Sequence, residues 1–413
     1  MLIENRTPKI MYDINKIITL HCPNPKKILF SAHIPRSFRT TLIGYLYEIT
    51  KNHPTVLLSE ELDIETQKAL QDKTLFPKLK KIIPVKGESK LNLKPFAKNK
   101  NLYTLAKTVI TDYNPDIVIS PPGMFSTIFE FYLMRFAKRK GAFRIYLQPS
   151  LIIPILQKSL WIDLENAEFR FPKWLPRNIR IFLTKIRRYI KYIFLYWILP
   201  LSVGQKPLWK EVRISPKSDV HDRAVWTAWT MRDYKIFSLD GIPTEKLYIL
   251  PHPLTQEKTK VFFDKIYFDK FKKQKNEKSV TLLLPEYFGF KKQDFTIITL
   301  NERIENWLLI IDTINTILKG WRIYIKPHPG WLHPNVKNFD AIQKKIESID
   351  YNIKVVNPIE PIDKYIERSD IIIGLPLSVS TALFTASLQC PEKIIISLDN
   401  HLELAGDFYK NYA

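Results

Sequence analysis

The feature that most constrains the fold is a recurring run of apolar, mostly β-branched residues that lacks polar alternation. "PDIVISPPG" (Pro115–Gly123), "RIYIKPHP" and "DIIIGLP" all carry one, and helical spacing follows each. A strand that buries both faces loses its period-two pattern, and such strands belong to parallel sheets covered by helices on both sides. The same grammar occurs at "KILFS" (Lys27–Ser31), "TVLLSE" (Thr55–Glu60), "KKIIPV" (Lys80–Val85) and "FRIYLQP" (Phe143–Pro149). It returns at "DRAVWTAWT" (Asp222–Thr230), "SVTLLLPE" (Ser279–Glu286), "IKVVNP" and "KIIISLD". Two successive α/β halves follow, and we expect two Rossmann-like domains facing one another across a cleft. Residues 1–265 would form the first and 266–413 the second, with the lysine-dense Lys258–Lys278 as linker and the last helix packing back on the first domain.

The alternation breaks once. Phe171 to Arg213 is rich in aromatics and Arg/Lys and holds a single acidic residue, Glu211, so it reads as an insert outside the sheet. It contributes to a net charge of +22 over 413 residues, which points to a polyanionic partner: nucleic acid, anionic lipid or a phosphorylated substrate. Arg177, Arg180, Arg187, Arg188 and Lys191, with Trp197, have the composition of a segment lying in an anionic membrane interface. A core helix with a solvated basic face would read the same way. No helix-turn-helix, RNA-recognition or zinc-module signature supports a specific nucleic-acid partner.

Cys22 and Cys390 lie far apart with no CxxC nearby, so neither a disulfide framework nor a zinc site is expected and a reducing cytoplasm fits. The N-terminus lacks the apolar core of a signal peptide, and the uncharged stretch Tyr192–Gln205 is short for a spanning helix and contains Pro200. We expect a cytoplasmic protein, peripheral on the inner face of the membrane. No metal-ligand set, GxGxxG or GxxxxGK[ST] stands in the sequence, so neither a metal nor a cofactor is expected.

Ligands of open parallel sheets bind just past the carboxyl ends of strands. There "KPHPG" places Lys326, Pro327, His328 and Pro329. Proline on either side fixes φ and removes amide donors, which aims the imidazole. A histidine beside a lysine suits a phosphate that gains charge as a leaving group, although "ILPHPL" around His252 shows that a His-Pro turn can equally be packed away. Downstream, "LPLSVSTALF" sets Ser378, Ser380 and Thr381 at the start of an apolar helix, whose free amides and dipole can hold phosphate or whose hydroxyls only cap it.

These motifs resemble the GT-B glycosyltransferase-like enzymes of bacterial surface polysaccharides, especially the sialyl- and polysialyltransferases, with the CDP-glycerol glycerophosphotransferases of teichoic acid synthesis close behind. In the sialyltransferases a His-Pro motif and a Ser-Ser or Ser-Thr motif contact the nucleotide phosphate; His328–Pro329 and Ser380–Thr381 match them. The resemblance covers roughly Ser279 to Asp399. It implies an α/β fold of GT-B type and an inverting, metal-independent transfer of a sugar, sialic acid or a related one, from a CMP-, CDP- or UDP-linked donor to a glycan or lipid-linked acceptor.

The acidic-acidic-Gly motif that supplies the base in sialyltransferases is missing. "YLQPSL" stands near its place, with Asp163 following in "WIDLEN", and "SLDG" reads as an ordinary turn. His33 in "SAHIPRSFR", just past the first strand, is the other candidate base, with Arg36 and Arg39 as acceptor-binding cations. Glu286 and Glu360 lie where a donor's ribose could be bonded. A basic membrane or nucleic-acid binder without catalysis is the alternative from another class.

Overall fold

A computed structural model describes residues 8–32, 38–60, 62–85, 96–122, 128–149, 171–172, 174–193, 223–239, 241–268, 278–284, 300–328, 331, 339–358, 360–375 and 381–398. The chain divides into two compact units, Met1–Ser159 with Asn178–Phe262, and Leu160–Arg177 with Phe263–Ala413. Leu160–Arg177 groups with the second unit.

The first unit is an eight-stranded parallel sheet of β1 (Lys9–Ile10), β2 (Ile28–Ala32), β3 (Thr55–Ser59), β4 (Leu79–Pro84), β5 (Ile117–Ser120), β6 (Phe143–Tyr146), β7 (Ala224–Ala228) and β8 (Leu247–Ile249). Its order is β1-β8-β7-β6-β5-β2-β3-β4. From β2 the chain steps outward through β3 and β4, then crosses back to β5, so the switch point lies between β2 and β5. Its helices are α1 (Ile14–His21), α2 (Ile43–Asn52), α3 (Ile64–Gln71), α4 (Phe96–Tyr113), α5 (Ile128–Arg139), α6 (Arg177–Ile193), α7 (Met231–Leu239) and α8 (Glu257–Phe263). The helix α6 stands in the crossover between the neighbouring parallel strands β6 and β7, as an insertion outside the sheet should.

The second unit holds β9 (Ser279–Leu284), β10 (Arg322–Pro327), β11 (Ile353–Val355), β12 (Ile371–Gly374) and β13 (Ile394–Ser397), ordered β11-β10-β9-β12-β13 and parallel throughout. Between them run α9 (Leu300–Ile317), α10 (Phe339–Glu347), α11 (Asp363–Arg368) and α12 (Thr381–Gln389). The central strand β9 is buried along its whole length, which is why "SVTLLL" shows no polar alternation. Its core joins Leu282, Leu284, Trp307, Ile323, Ile325 and Trp331.

Two expectations need correction. The lysine-dense stretch from Lys258 does not begin as a linker: α8 and the helical turn Asp264–Phe268 bury Phe262, Phe263 and Tyr267, and the lysines occupy the outer positions of an amphipathic segment. The strand at Lys27–Ser31, expected to be the first, is the second. Lys9–Ile10 adds an edge strand to β8, and Asp13 caps α1 by accepting the Asn15 N–H at 2.8 Å. The last residues, where a final helix was expected, lie outside the described ones. No described helix is long and apolar enough to cross a membrane.

Candidate functional site

The carboxyl edge of the second sheet is organised around the end of β9. In register, Lys326 of β10 and Gly374 of β12 both pair with Leu283. The residues that follow are tied to the same strand: the His328 N–H donates to the Leu284 carbonyl at 2.9 Å, and the Leu375 N–H donates to the Leu283 carbonyl at 3.1 Å. The His-Pro loop and the approach to α12 therefore leave the sheet from the two neighbours of β9, about 10 Å apart. This is the switch point of the second unit, where a doubly wound sheet binds its ligand.

His328 is exposed while the loop around it is pinned. Three residues on, Trp331 is fully buried, 5.5 Å from the Trp307 ring and 5.8 Å from Phe339, and its N–H donates to the His328 carbonyl at 3.0 Å. His328 is thus an exposed residue whose own main chain is held at both its N–H and its carbonyl. Lys326 is buried, with its Nζ donating to the Pro358 carbonyl at 2.7 Å and to the Pro327 carbonyl at 3.1 Å. It binds the end of β10 to the segment after β11 and places positive charge under the loop. Pro327 ends β10; Pro329 lies outside the described residues.

Glu360 follows β11. Its Oε2 accepts from the Tyr365 hydroxyl at 2.5 Å and from Lys364 Nζ at 3.2 Å. Burial pushes its pKa up, but these two bonds, with the charges of Lys364 and Lys326, outweigh it and hold the carboxyl below its usual range. The group is an ionised acceptor near neutral pH, suited to a donor hydroxyl.

Thr381 is the first residue of α12, so the helix opens at the carboxyl end of β12; Ser378, Ser380 and Glu286 lie outside the described residues. The helix is brought close by Gly374: a Cβ there would meet Leu383 Cδ2 at 3.1 Å, tighter than ordinary packing.

His33, Arg36 and Asp163 lie outside the described residues. The Arg39 guanidinium is engaged by Glu65 at 3.1 Å and Asp63 at 3.3 Å. In the "YLQPSL" stretch Gln148 is fully buried; it donates to Asp233 Oδ2 at 2.9 Å and accepts from the Trp229 N–H at 2.7 Å. That clamp between the segments following β6 and β7 was not evident in the sequence, where neither residue has a distinguishing neighbour. Gly241 of "SLDG" takes φ +94° after α7 and its N–H donates to the Ser238 carbonyl, an ordinary helix end. Among the described residues no cluster of three or more His, Cys, Asp and Glu could hold a metal ion.

His252, in the second Pro-His-Pro, is buried. Its Nδ1 accepts the Leu254 N–H at 3.2 Å, so the neutral ring carries its proton on Nε2 and donates to Thr41 Oγ1 at 3.1 Å. Burial pushes its pKa down to about 3. Nearby in the same unit, burial pushes Glu48 up to about 7, opposed by a hydrogen bond from Thr259. The two titrations act oppositely on stability. The unfolded chain binds the extra proton at His252, so stability rises with pH from about 3 to 6.5; the folded chain holds the extra proton at Glu48, so stability falls from about 4.5 to 7. Glu48→Gln removes the second slope alone. Urea unfolding at several values between pH 5 and 6.5 should then give a stability-versus-pH slope more positive than wild type by about 1 kcal/mol per unit, and equal slopes would refute the buried acid.

Along α6, Arg180 is buried, not lying among the exposed cations that include Arg187. The expected membrane contact at Arg180 is therefore corrected: its side chain turns into the protein. Trp197 lies outside the described residues.

No protein-family model matches the chain, and no curated protein matches it in sequence. Solved structures do. A protein from Listeria monocytogenes assigned as a UDP-N-acetylglucosamine 2-epimerase superposes with a TM-score of 0.50 at 12% identity, over 91% of this chain and 79% of that one. The UDP-GlcNAc 2-epimerase of Methanocaldococcus jannaschii gives 0.49 at 12%, over 90% and 83%. That of Neisseria meningitidis bound to UDP-GlcNAc gives 0.45 at 15%, over 93% and 90%. With two parallel Rossmann-like sheets, the fold class is α/β of GT-B type.

Proposed function

We propose that the chain is a GT-B glycosyltransferase that moves a sugar from a nucleotide donor, held by the second unit, to a glycan or lipid-linked acceptor held by the first. The observation that carries this reading is the pairing at the end of β9: an exposed imidazole on a pinned loop to one side, and the approach to the opening of α12 on the other. Such a pair brackets a diphosphate or monophosphate. His328 donates a hydrogen bond to the phosphate oxygen, and the first amides of α12, with Ser380 and Thr381, take the rest of its charge. Glu360 accepts from a ribose hydroxyl.

In the reaction the acceptor hydroxyl gives its proton to a base, His33 or Asp163. The acceptor oxygen bonds to the anomeric carbon from the face opposite the leaving group, and the carbon–oxygen bond to phosphate breaks. The anomeric centre inverts and the electron pair leaves on the nucleotide, where His328 meets it. Lys326 supports this step by holding the loop, and no cation is required to neutralise the leaving group.

The donor is narrowed by a thermal-shift screen with CMP, CDP, UDP and GDP. One nucleotide should raise the unfolding midpoint, by an amount equivalent to about 2.7 kcal/mol at a hundred times its dissociation constant. CMP would favour the sialyltransferase-like reading and CDP the glycerophosphotransferase one. UDP, already among the donors expected from the sequence, would fit the likeness to the Listeria structure, whose name is that of a UDP-sugar enzyme. No shift with any of the four would overturn the transferase. The fold likeness favours one second reading, a UDP-sugar 2-epimerase on the same scaffold, which would interconvert donor epimers without an acceptor; NMR of the donor alone with the protein separates the two.

A further inference from the structure

The helix α6 is amphipathic in the wrong sense for a core helix. At about 100° per residue, Tyr189, Phe182, Ile186, Ile179 and Ile190 share one stripe that spans roughly 100° of the circumference. Every one of them is exposed, Phe182 by 60% and Tyr189 by 58%. The opposite side carries Arg180 and Thr184, which are buried at 8% and 4%. The helix thus sets Arg180 and Thr184 against the protein, leaves Ile181 and Leu183 half-buried, and turns the five-residue apolar stripe outward. A water-facing helix gains nothing from that arrangement, and an apolar partner accounts for it.

The charges identify the partner. The helix carries Arg177, Arg180, Lys185, Arg187, Arg188 and Lys191 and no Asp or Glu. The exposed Lys185 and Arg187 fall on the two borders of the apolar stripe. A second copy of the chain would set these cations against their equals with no acidic residue on the helix to answer them. Nucleic acid would answer the charge and leave the aliphatic stripe in water. An anionic bilayer satisfies both, with the stripe in the acyl boundary and the bordering cations among the headgroups. We infer that α6 docks the first unit in the plane of an anionic membrane, apolar stripe down. At 17 residues with cations on both borders it lies in the interface and does not span it. This rests on the geometry of α6 and is independent of the nucleotide chemistry of the second unit.

The test is co-sedimentation of the full chain with vesicles of phosphatidylglycerol in phosphatidylcholine, against phosphatidylcholine alone. Wild type should sediment with the anionic vesicles and lose binding as salt rises. Phe182→Asp with Ile186→Asp should lower the partition coefficient by at least about ten-fold. Lys185→Gln with Arg187→Gln should lower it by roughly five-fold per residue on anionic vesicles only. Tyr189→Ser with Ile190→Ser, at the other end of the stripe, provides an independent pair should the first fail to fold, which circular dichroism reports. Wild type remaining in the supernatant, or either stripe variant sedimenting like wild type, overturns the inference. So does a dimer, seen by analytical ultracentrifugation, that the stripe variants dissolve, since a second copy would then be the occupant. Binding to RNA that the stripe variants retain, in the absence of vesicle binding, refutes it as well.

Discussion

Replacing His328 by alanine should lower donor turnover by about 10²–10³-fold, equivalent to about 3–4 kcal/mol of transition-state stabilisation, while the unliganded protein unfolds at its wild-type midpoint. The two halves of this expectation have separate physical causes. The residue is exposed, so its truncation should cost the fold little, within about 0.5 kcal/mol. The bonds that shape the loop belong to the backbone, from His328 N–H to Leu284 and from Trp331 N–H to His328, and they survive the substitution. What is lost is a donor aimed at the place where the leaving phosphate gathers charge. Donor hydrolysis or transfer should be measured with the nucleotide that the thermal-shift screen selects. Turnover within three-fold of wild type would remove His328 from the chemistry and the main support of the transferase reading with it.

His328 and His252 show how far such a site can be read from sequence. Both stand between prolines just after a strand, and the lysine before one of them does not tell which imidazole is exposed. The structure exposes one and buries the other under Trp229 and against Thr41, the ring of Trp229 lying 4.6 Å away edge-on. Long-range packing decides, and a window of sequence does not contain it. The strands, by contrast, were legible almost to the residue, because burial on both faces leaves an unbroken apolar run: "SVTLLL", "RIYIKP" and "IIIG" match β9, β10 and β12. The edge strand Lys9–Ile10 was not, since two exposed residues carry no pattern. Lysine density also misled. It marked Lys258 onward as a linker, although Phe262, Phe263 and Tyr267 carry the signal of a packed helix. Lys326 could be placed at a strand end, but that its ammonium bends back to two carbonyls depends on where Pro358 arrives from β11. The inversion of α6 was equally hidden, since the sequence shows two faces and not which one the protein keeps.

Trp331→Ala should do the reverse of His328→Ala. The indole is fully buried between Trp307 and Phe339 and belongs to the main core of the second unit, so its deletion should cost about 3–5 kcal/mol from lost burial and the cavity left behind. That is a large fraction of what a domain of this size commonly has, about 5–15 kcal/mol. Urea unfolding should report the loss, and Trp331→Phe should recover more than half of it by refilling most of the volume. The functional consequence follows from position. With its buried plug gone, the chain after His328 loses its anchor among Trp307 and Phe339, and a group that must sit within a few tenths of an ångström of a phosphate oxygen becomes one of many conformers. Nucleotide affinity, measured by calorimetry well below the lowered unfolding midpoint, should fall at least about ten-fold in Trp331→Ala and return in Trp331→Phe. Should Trp331→Ala unfold within 1 kcal/mol of wild type, the tryptophan is no anchor. If it is destabilised as expected but binds nucleotide with unchanged affinity, the anchored loop is not where the phosphate rests.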